Sequence, residues 1–147
     1  GTNFSFAWVN CSGLTAFPLI NTGAGTAFGQ TWGNCSGLTS FPSLNLAAGT
    51  TFRDAWSGCT NLASFPVNMF NTTGTLIPTA FLGAFTNCAL TAASIENILT
   101  SLVTNGQSTI QLSLNGGTNA GASTWTTAAN TAYATLISRG WTISRNA

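Results

Sequence analysis

Apolar and polar positions along residues 1–90 recur with a period of 24. Three segments align without a gap, opening at Gly1 to Phe4, Gly25 to Phe28 and Gly49 to Phe52. Four residues after each Phe come Trp8, Trp32 and Trp56, then Cys11, Cys35 and Cys59, then Leu14, Leu38 and Leu62. Each copy closes on Phe-Pro, at Phe17-Pro18, Phe41-Pro42 and Phe65-Pro66. A weaker copy follows a five-residue insertion, with Phe81, Phe85 in the Trp place, Cys88 and Leu90. The repeats are therefore 1–24, 25–48, 49–72 and a degenerate 73–90.

Within one repeat, Phe28, Thr31, Trp32 and Cys35 sit at i, i+3, i+4 and i+7, the stripe of a short helix. Ser36-Gly37 breaks it, and Leu38 to Phe41 reads as a short strand stopped by Pro42. A single coil cannot bury its Phe, Trp, Cys and Leu, whereas stacked coils bury them as ladders. The expectation is an α/β fold: a short, right-handed, leucine-rich-repeat-like solenoid whose strands form a parallel sheet.

Residues 91–147 carry a different pattern, expected to form an α/β cap. Thr91 can cap a helix that has Ile95, Ile98, Leu99 and Leu102 on one face and ends at Asn105-Gly106. Thr109 to Leu114 alternates as a strand does. A second helix is predicted from about Thr124–Thr126 to Arg139, with Gly140 as its left-handed terminator and a last strand at Trp141 to Ser144. A cap is expected on physical grounds, because the last coil otherwise exposes its apolar face and strand edges.

Composition narrows the function classes. Charged residues are only 3% of the chain, all of them Arg53, Asp54, Glu96, Arg139 and Arg145, so Thr, Ser and Asn must build the polar surface. Three scattered Arg cannot neutralise a row of phosphates, which argues against nucleic acid and anionic membrane surfaces. No apolar run reaches the roughly 18 residues of a membrane span. No signal peptide can be read, and the missing initiator Met suggests a processed or partial chain.

With no His, no Lys and two distant carboxylates, neither a triad nor a metal cluster is easily built, and no enzyme activity and no cofactor are expected. One Cys per coil at the same inward position is expected to give a ladder of buried free thiols rather than disulfides or zinc ligands. Asp54 is expected to pair with Arg53 in the helix of the third repeat, and Glu96 to favour the N-terminus of its own helix. Four Asn-x-Ser/Thr sequences, at Asn3, Asn10, Asn34 and Asn71, are explained by composition.

The phrase Phe-x-x-x-Trp-x-x-Cys-Ser-Gly-Leu-Thr-x-Phe-Pro resembles the leucine-rich repeats of the BspA type, found in bacterial surface proteins and phage structural proteins. The segment ending Leu-Ile-Ser-Arg-Gly-Trp-Thr-Ile is similar to C-terminal pieces of phage tail and virion proteins. The resemblance implies a solenoid with a parallel sheet and a role in adhesion, recognition or virion structure, placing the chain in a virion or at the extracellular cell surface. Three functions follow as expectations. The first is a structural or decorating subunit of a phage virion or extracellular filament, with protein partners and a homo-oligomeric habit. The second is a module binding a receptor or glycan through an exposed face of Thr15, Thr39, Ser40 and Ser64. The third is ice binding, against which that face is not a clean Thr array. The assembly face is predicted at the N-terminal end, where Phe4, Trp8, Leu14 and Phe17 would meet water. The partner expected there is the cap's outer surface or a second copy of the same end.

Overall fold

The computed structural model describes residues 2–147, so Gly1, the first residue of the first repeat, lies outside the described residues. Its regular elements are α1 (Ala92–Asn105), β1 (Gln111–Leu114), α2 (Thr127–Ser138) and β2 (Thr142–Arg145), with a 3-10 turn at Ala122–Thr124. β1 and β2 form one two-stranded parallel sheet, with Leu112 opposite Ile143. The expected leucine-rich-repeat-like solenoid with a sheet running through its repeats is thus corrected. Among the described residues of 1–90 there is no regular helix or strand, only turns and single bridges such as Asn3 to Ala27, Ala27 to Thr51 and Ser40 to Ser64. The molecule is a mixed α/β protein whose first part is built from turns.

The cause is visible in the backbone. A helix over Phe28 to Cys35 would keep its amide hydrogens inside the segment. Here Gln30 and Asn34 take positive φ (51° and 59°), and so do Phe6, Asn10, Asp54, Gly58, Gly83 and Asn87 at matching places. Each left-handed residue interrupts the helical turn. The amides of Phe28, Gln30, Trp32 and Asn34 donate to the carbonyls of Thr51, Arg53, Ala55 and Ser57 in the next repeat, at 2.7–3.0 Å. The alternate amides of Thr31, Gly33 and Cys35 close short turns three residues back. The expected strand at Leu38 to Phe41 is reduced to the Ser40 bridge, because Pro42 has no amide hydrogen to continue a ladder.

The same ladder runs on past the repeats. Phe52 donates to Ala80, Phe81 donates to Gln111, and Phe81 is bridged to Leu112, which faces Ile143. Residues at the position of Phe4 are therefore Phe28, Phe52, Phe81, Leu112 and Ile143, first 24 apart, then 29, 31 and 31. The layers widen because α1 and α2 replace the return stretch of the earlier ones.

α1 is held to the third repeat by side chains. Ser94 accepts from the Phe65 amide and donates to the Ala63 carbonyl; Asn97 donates to the Phe65 carbonyl. One and two turns further on, Ser101 accepts from the Phe70 amide and Asn105 donates to the Phe70 carbonyl. These residues complete, from a helix, the backbone groups that a further turn-built layer would have paired. Each such bond contributes about 1 kcal/mol net, but leaving the buried group bare would cost more.

Inside, the rings stack in columns. Trp32 lies between Trp8 and Trp56 at centroid distances of 6.1 and 5.2 Å, and Phe85 follows Trp56 at 5.0 Å. Phe41 and Phe65 meet the Trp column edge-on. Phe70, near the end of the third repeat at the position of Leu46, fills the space between Phe52, Phe65 and Phe81.

Trp32→Ala is expected to cost about 3 to 5 kcal/mol in equilibrium denaturant melts. Trp56→Phe should cost less, about 1 to 2 kcal/mol, because it keeps the ring stack and removes only part of the buried volume. The buried Trp56 Nε1 has no hydrogen-bond partner, and Phe85 already occupies the same column one layer on. A Trp56→Phe loss as large as that of Trp32→Ala would mean that the indole nitrogen contributes more than its surroundings indicate.

Candidate functional site

The predicted assembly face is the first layer, and its four residues are placed together. Phe4 stacks on Phe28 at 5.4 Å, Trp8 on Trp32, and Phe17 on Phe41 at 5.8 Å while meeting Trp8 edge-on at 4.9 Å. Phe4, Trp8 and Leu14 are half-buried, covered on one side only. Phe17 is a correction: it is 7% exposed and belongs to the core. Phe6, which repeat matching did not single out, is 58% exposed beside this face.

Hydrogen bonding gives the face a direction. In the layers behind, the carbonyls of Ala27, Gly29, Thr31 and Gly33 accept from Phe4, Phe6, Trp8 and Asn10. The matching carbonyls of Asn3, Ser5, Ala7 and Val9 accept no bond among the described residues. At the far end, Thr142 donates to the Ile110 carbonyl. In a parallel pair this phase turns Thr142 and Ser144 toward β1, and Ile143 and Arg145 away from it. One end thus offers a row of acceptors, and the other offers the outward amides of Ile143 and Arg145 beside the carbonyls of the same residues.

The predicted ligand face is also formed. Thr15, Thr39, Ser40 and Ser64 are all exposed, and Ser40 bridges Ser64. Its hydroxyls are interrupted by Ala16 and Ala63, so no regular hydroxyl array results. A cleaner column, Thr2, Thr26 and Thr50, lies elsewhere, but Thr26 and Thr50 donate their hydroxyls to the carbonyls one layer back.

The four cysteines are free, but the expected buried ladder has three members, since Cys11 is exposed. Cys35, Cys59 and Cys88 donate their thiols to the carbonyls of Trp8, Trp32 and Trp56 at 3.0–3.1 Å. Burial pushes all three upward, Cys59 from 9.0 to about 12. Such thiols are poor nucleophiles. Among the described residues no three His, Cys, Asp or Glu side chains gather as metal ligands, and no helix is long and apolar enough to cross a membrane.

The few charges hold the structure together. Arg53 lies 3.5 Å from Asp54, both partly solvated, though no helix carries them. Glu96 is likewise corrected: it lies outside the first turn of α1 and accepts from Thr126, the N-cap of α2, at 2.5 Å. Arg139 donates to the Val103 carbonyl at the other end of the helix pair. Arg145 lies over Tyr133 at 4.5 Å and Trp125 at 5.3 Å, a cation–π contact that fixes β2 against α2.

A thiol reagent should label Cys11 alone in the native protein and all four cysteines in denaturant. Rapid native labelling of Cys59 would show the layers to open. The folded protein holds its buried thiol protons to higher pH than the unfolded chain does. Stability should therefore be level below about pH 8.5 and fall as pH rises from there toward 12. Cys59→Ala should flatten that decline in melts repeated across the range.

Comparison of the chain with protein-family models, curated proteins and solved structures finds no match.

Proposed function

We propose that this protein is a non-enzymatic structural component that builds a larger assembly, a virion or an extracellular filament, by stacking copies head to tail. The observation that carries the reading is the match between its two ends. The acceptor row at Asn3, Ser5, Ala7 and Val9 faces away from the stack at one end, and the outward amides of Ile143 and Arg145 lie at the other. Ile143 occupies the same column as Phe4. A second copy placed on β2 therefore continues the ladder in register, Ile143 donating to Asn3 and Arg145 to Ser5. The half-covered rings of Phe4 and Trp8 would be closed in the same step, which supplies the apolar burial that drives association. It is this fit between edges, and not the position of residue 2, that supports the reading. A chain with only 3% charged residues offers little repulsion to oppose it.

Sedimentation velocity of the 147-residue chain should show concentration-dependent oligomers that 0.5 M salt leaves intact, since few charges take part (a Debye length of about 4 to 5 Å). Ile143→Pro removes the outward amide hydrogen together with a half-buried side chain and should shift the population to monomer, with Ile143→Ala as the control for the side-chain loss. Ala7→Arg, on the opposite end, should do the same. A monomer at the highest soluble concentration, or oligomers indifferent to both variants, would rule the reading out.

A further inference from the structure

On the flank of the second and third layers lies a hollow of about 280 Å³ lined by Gln30, Gly33, Asn34, Asp54 and Ser57. Its origin is one missing side chain. The matching positions in successive layers are Val9, Gly33, Ser57 and Thr86, and only the second layer has glycine there. A Cβ at Gly33 would meet nothing closer than 3.5 Å and its φ is not positive, so neither crowding nor backbone strain requires the glycine.

The walls are held outward by the left-handed backbone of Gln30, Asn34 and Asp54. Asn34 and Asp54 lie flat over Gly58 and Gly83, where any Cβ would collide with their side-chain oxygens. Asn34 is further fixed by donating to Asn10 at 2.9 Å. Among the described residues, the side chains of Gln30 and Ser57 make no hydrogen bond, and Asp54 has only its 3.5 Å approach to Arg53. A carboxylate, a primary amide and a hydroxyl are thus left unspent around one concave site.

Phe6 stands in the same column as Gln30 and Asp54, one layer outward, and its amide donates to Gly29 at 3.0 Å. It holds φ at 62° with its ring 58% exposed. A left-handed backbone costs an aromatic residue about 1 to 2 kcal/mol, and the exposed ring recovers little of that by burial. The backbone conformation is the one this column requires in every layer, so what the fold leaves unexplained is the exposed aromatic ring.

We propose that this hollow is a binding site for a neutral saccharide. A metal ion such as calcium takes 6–8 oxygen ligands, usually several of them carboxylates, and Asp54 is alone. An anion would meet that carboxylate. Sugar hydroxyls both donate and accept, so they match an acceptor-only carboxylate beside amides and a hydroxyl that do both. The apolar face of a pyranose needs a flat ring to rest on, a part assigned to Phe6, the exposed ring one layer outward from Gln30 in the same column. The hollow itself lies on the flank of the second and third layers, whereas Phe6 belongs to the first, so Asp54→Ala and the Gly33 variants are the ones that test the site apart from assembly.

The test is an array of neutral oligosaccharides ending in glucose, galactose, mannose or N-acetylglucosamine, followed by titration of the strongest binder against 15N-labelled protein. Binding should shift the amides of Gly33, Asn34, Asp54 and Ser57 and survive both chelator and high salt. Asp54→Ala should weaken it about tenfold or more, the loss of one charge-assisted hydrogen bond, and Phe6→Ala several-fold. Gly33→Val, which copies Val9, should abolish binding while the thermal melt is kept; Gly33→Ser, which copies Ser57, serves if the valine variant does not fold. The proposal is overturned if no neutral oligosaccharide binds, if only acidic glycans do, if binding needs a metal ion, or if it persists when Gly33 is filled.

Discussion

Each layer passes alternate amide hydrogens to the carbonyls of the next, and that exchange depends on residues that accept a left-handed backbone. Without Gln30 and Asn34 at positive φ, Phe28 to Cys35 would wind into a helical turn and satisfy itself. With them, the chain alternates between a bond within the turn and a bond to the neighbour. This explains why one column reads Asn10, Asn34, Gly58 and Asn87, since asparagine and glycine bear that conformation at least cost. The ring columns are a consequence, because the ladder sets the interval at which Phe and Trp must meet. Centroid separations of 5.0–6.1 Å along the Trp column are that interval read through the side chains.

A stack of this kind has to end, and α1 shows how. The helix is apolar on one face and carries Ser94, Asn97, Ser101 and Asn105 at intervals of 3, 4 and 4, a second stripe aimed at the open edge of the third repeat. The buried Asn119 does similar work between later layers, accepting from Leu90 and donating to Phe85 and Leu114. The ladder itself resumes through β1 and β2 beyond the helix. What begins as turns continues as a short parallel sheet once alternate residues no longer need to turn back.

Legibility in the sequence followed the nature of each signal. The columns of Phe, Trp and Cys were readable because burial repeats with the chain; the first helix was readable from its cap Thr91 and apolar stripe, and the second from its apolar positions and the Gly140 stop. The local conformation was not. Spacings of 3 and 4 between Phe28, Thr31, Trp32 and Cys35 suit a helix and a run of turns alike, and only the recurrent Asn10, Asn34 and Asn87 pointed to left-handed positions. The expected sheet failed because Pro follows every strand Phe, and the polar stripe on α1 was masked by its more conspicuous apolar one. Phe17 was misplaced as exposed because end layers were treated as bare on their whole face, whereas Trp8 and Phe41 enclose it. The hollow at Gly33 had a signal, a glycine where the other layers have Val9, Ser57 and Thr86, but its meaning depended on knowing which positions stand side by side.

Direction along the stack is the property that most constrains how copies can meet. Along the stretch from Phe4 to Asn10 each layer donates to the next, while Thr26, Thr50 and Ala63 donate back, so it is this stretch alone that ends in a bare acceptor row. Two copies joined by a twofold axis through the first layer would set carbonyl against carbonyl, pairing nothing and leaving both rows desolvated. A head-to-tail contact pairs the outward amides of Ile143 and Arg145 with carbonyls of that row and repeats the bonding already present between layers. Such a contact is heterologous: it makes a ring where its rotation closes and a filament where it does not. The chain's own layers are held by that interaction, and a filament would be the same interaction carried across a molecular boundary.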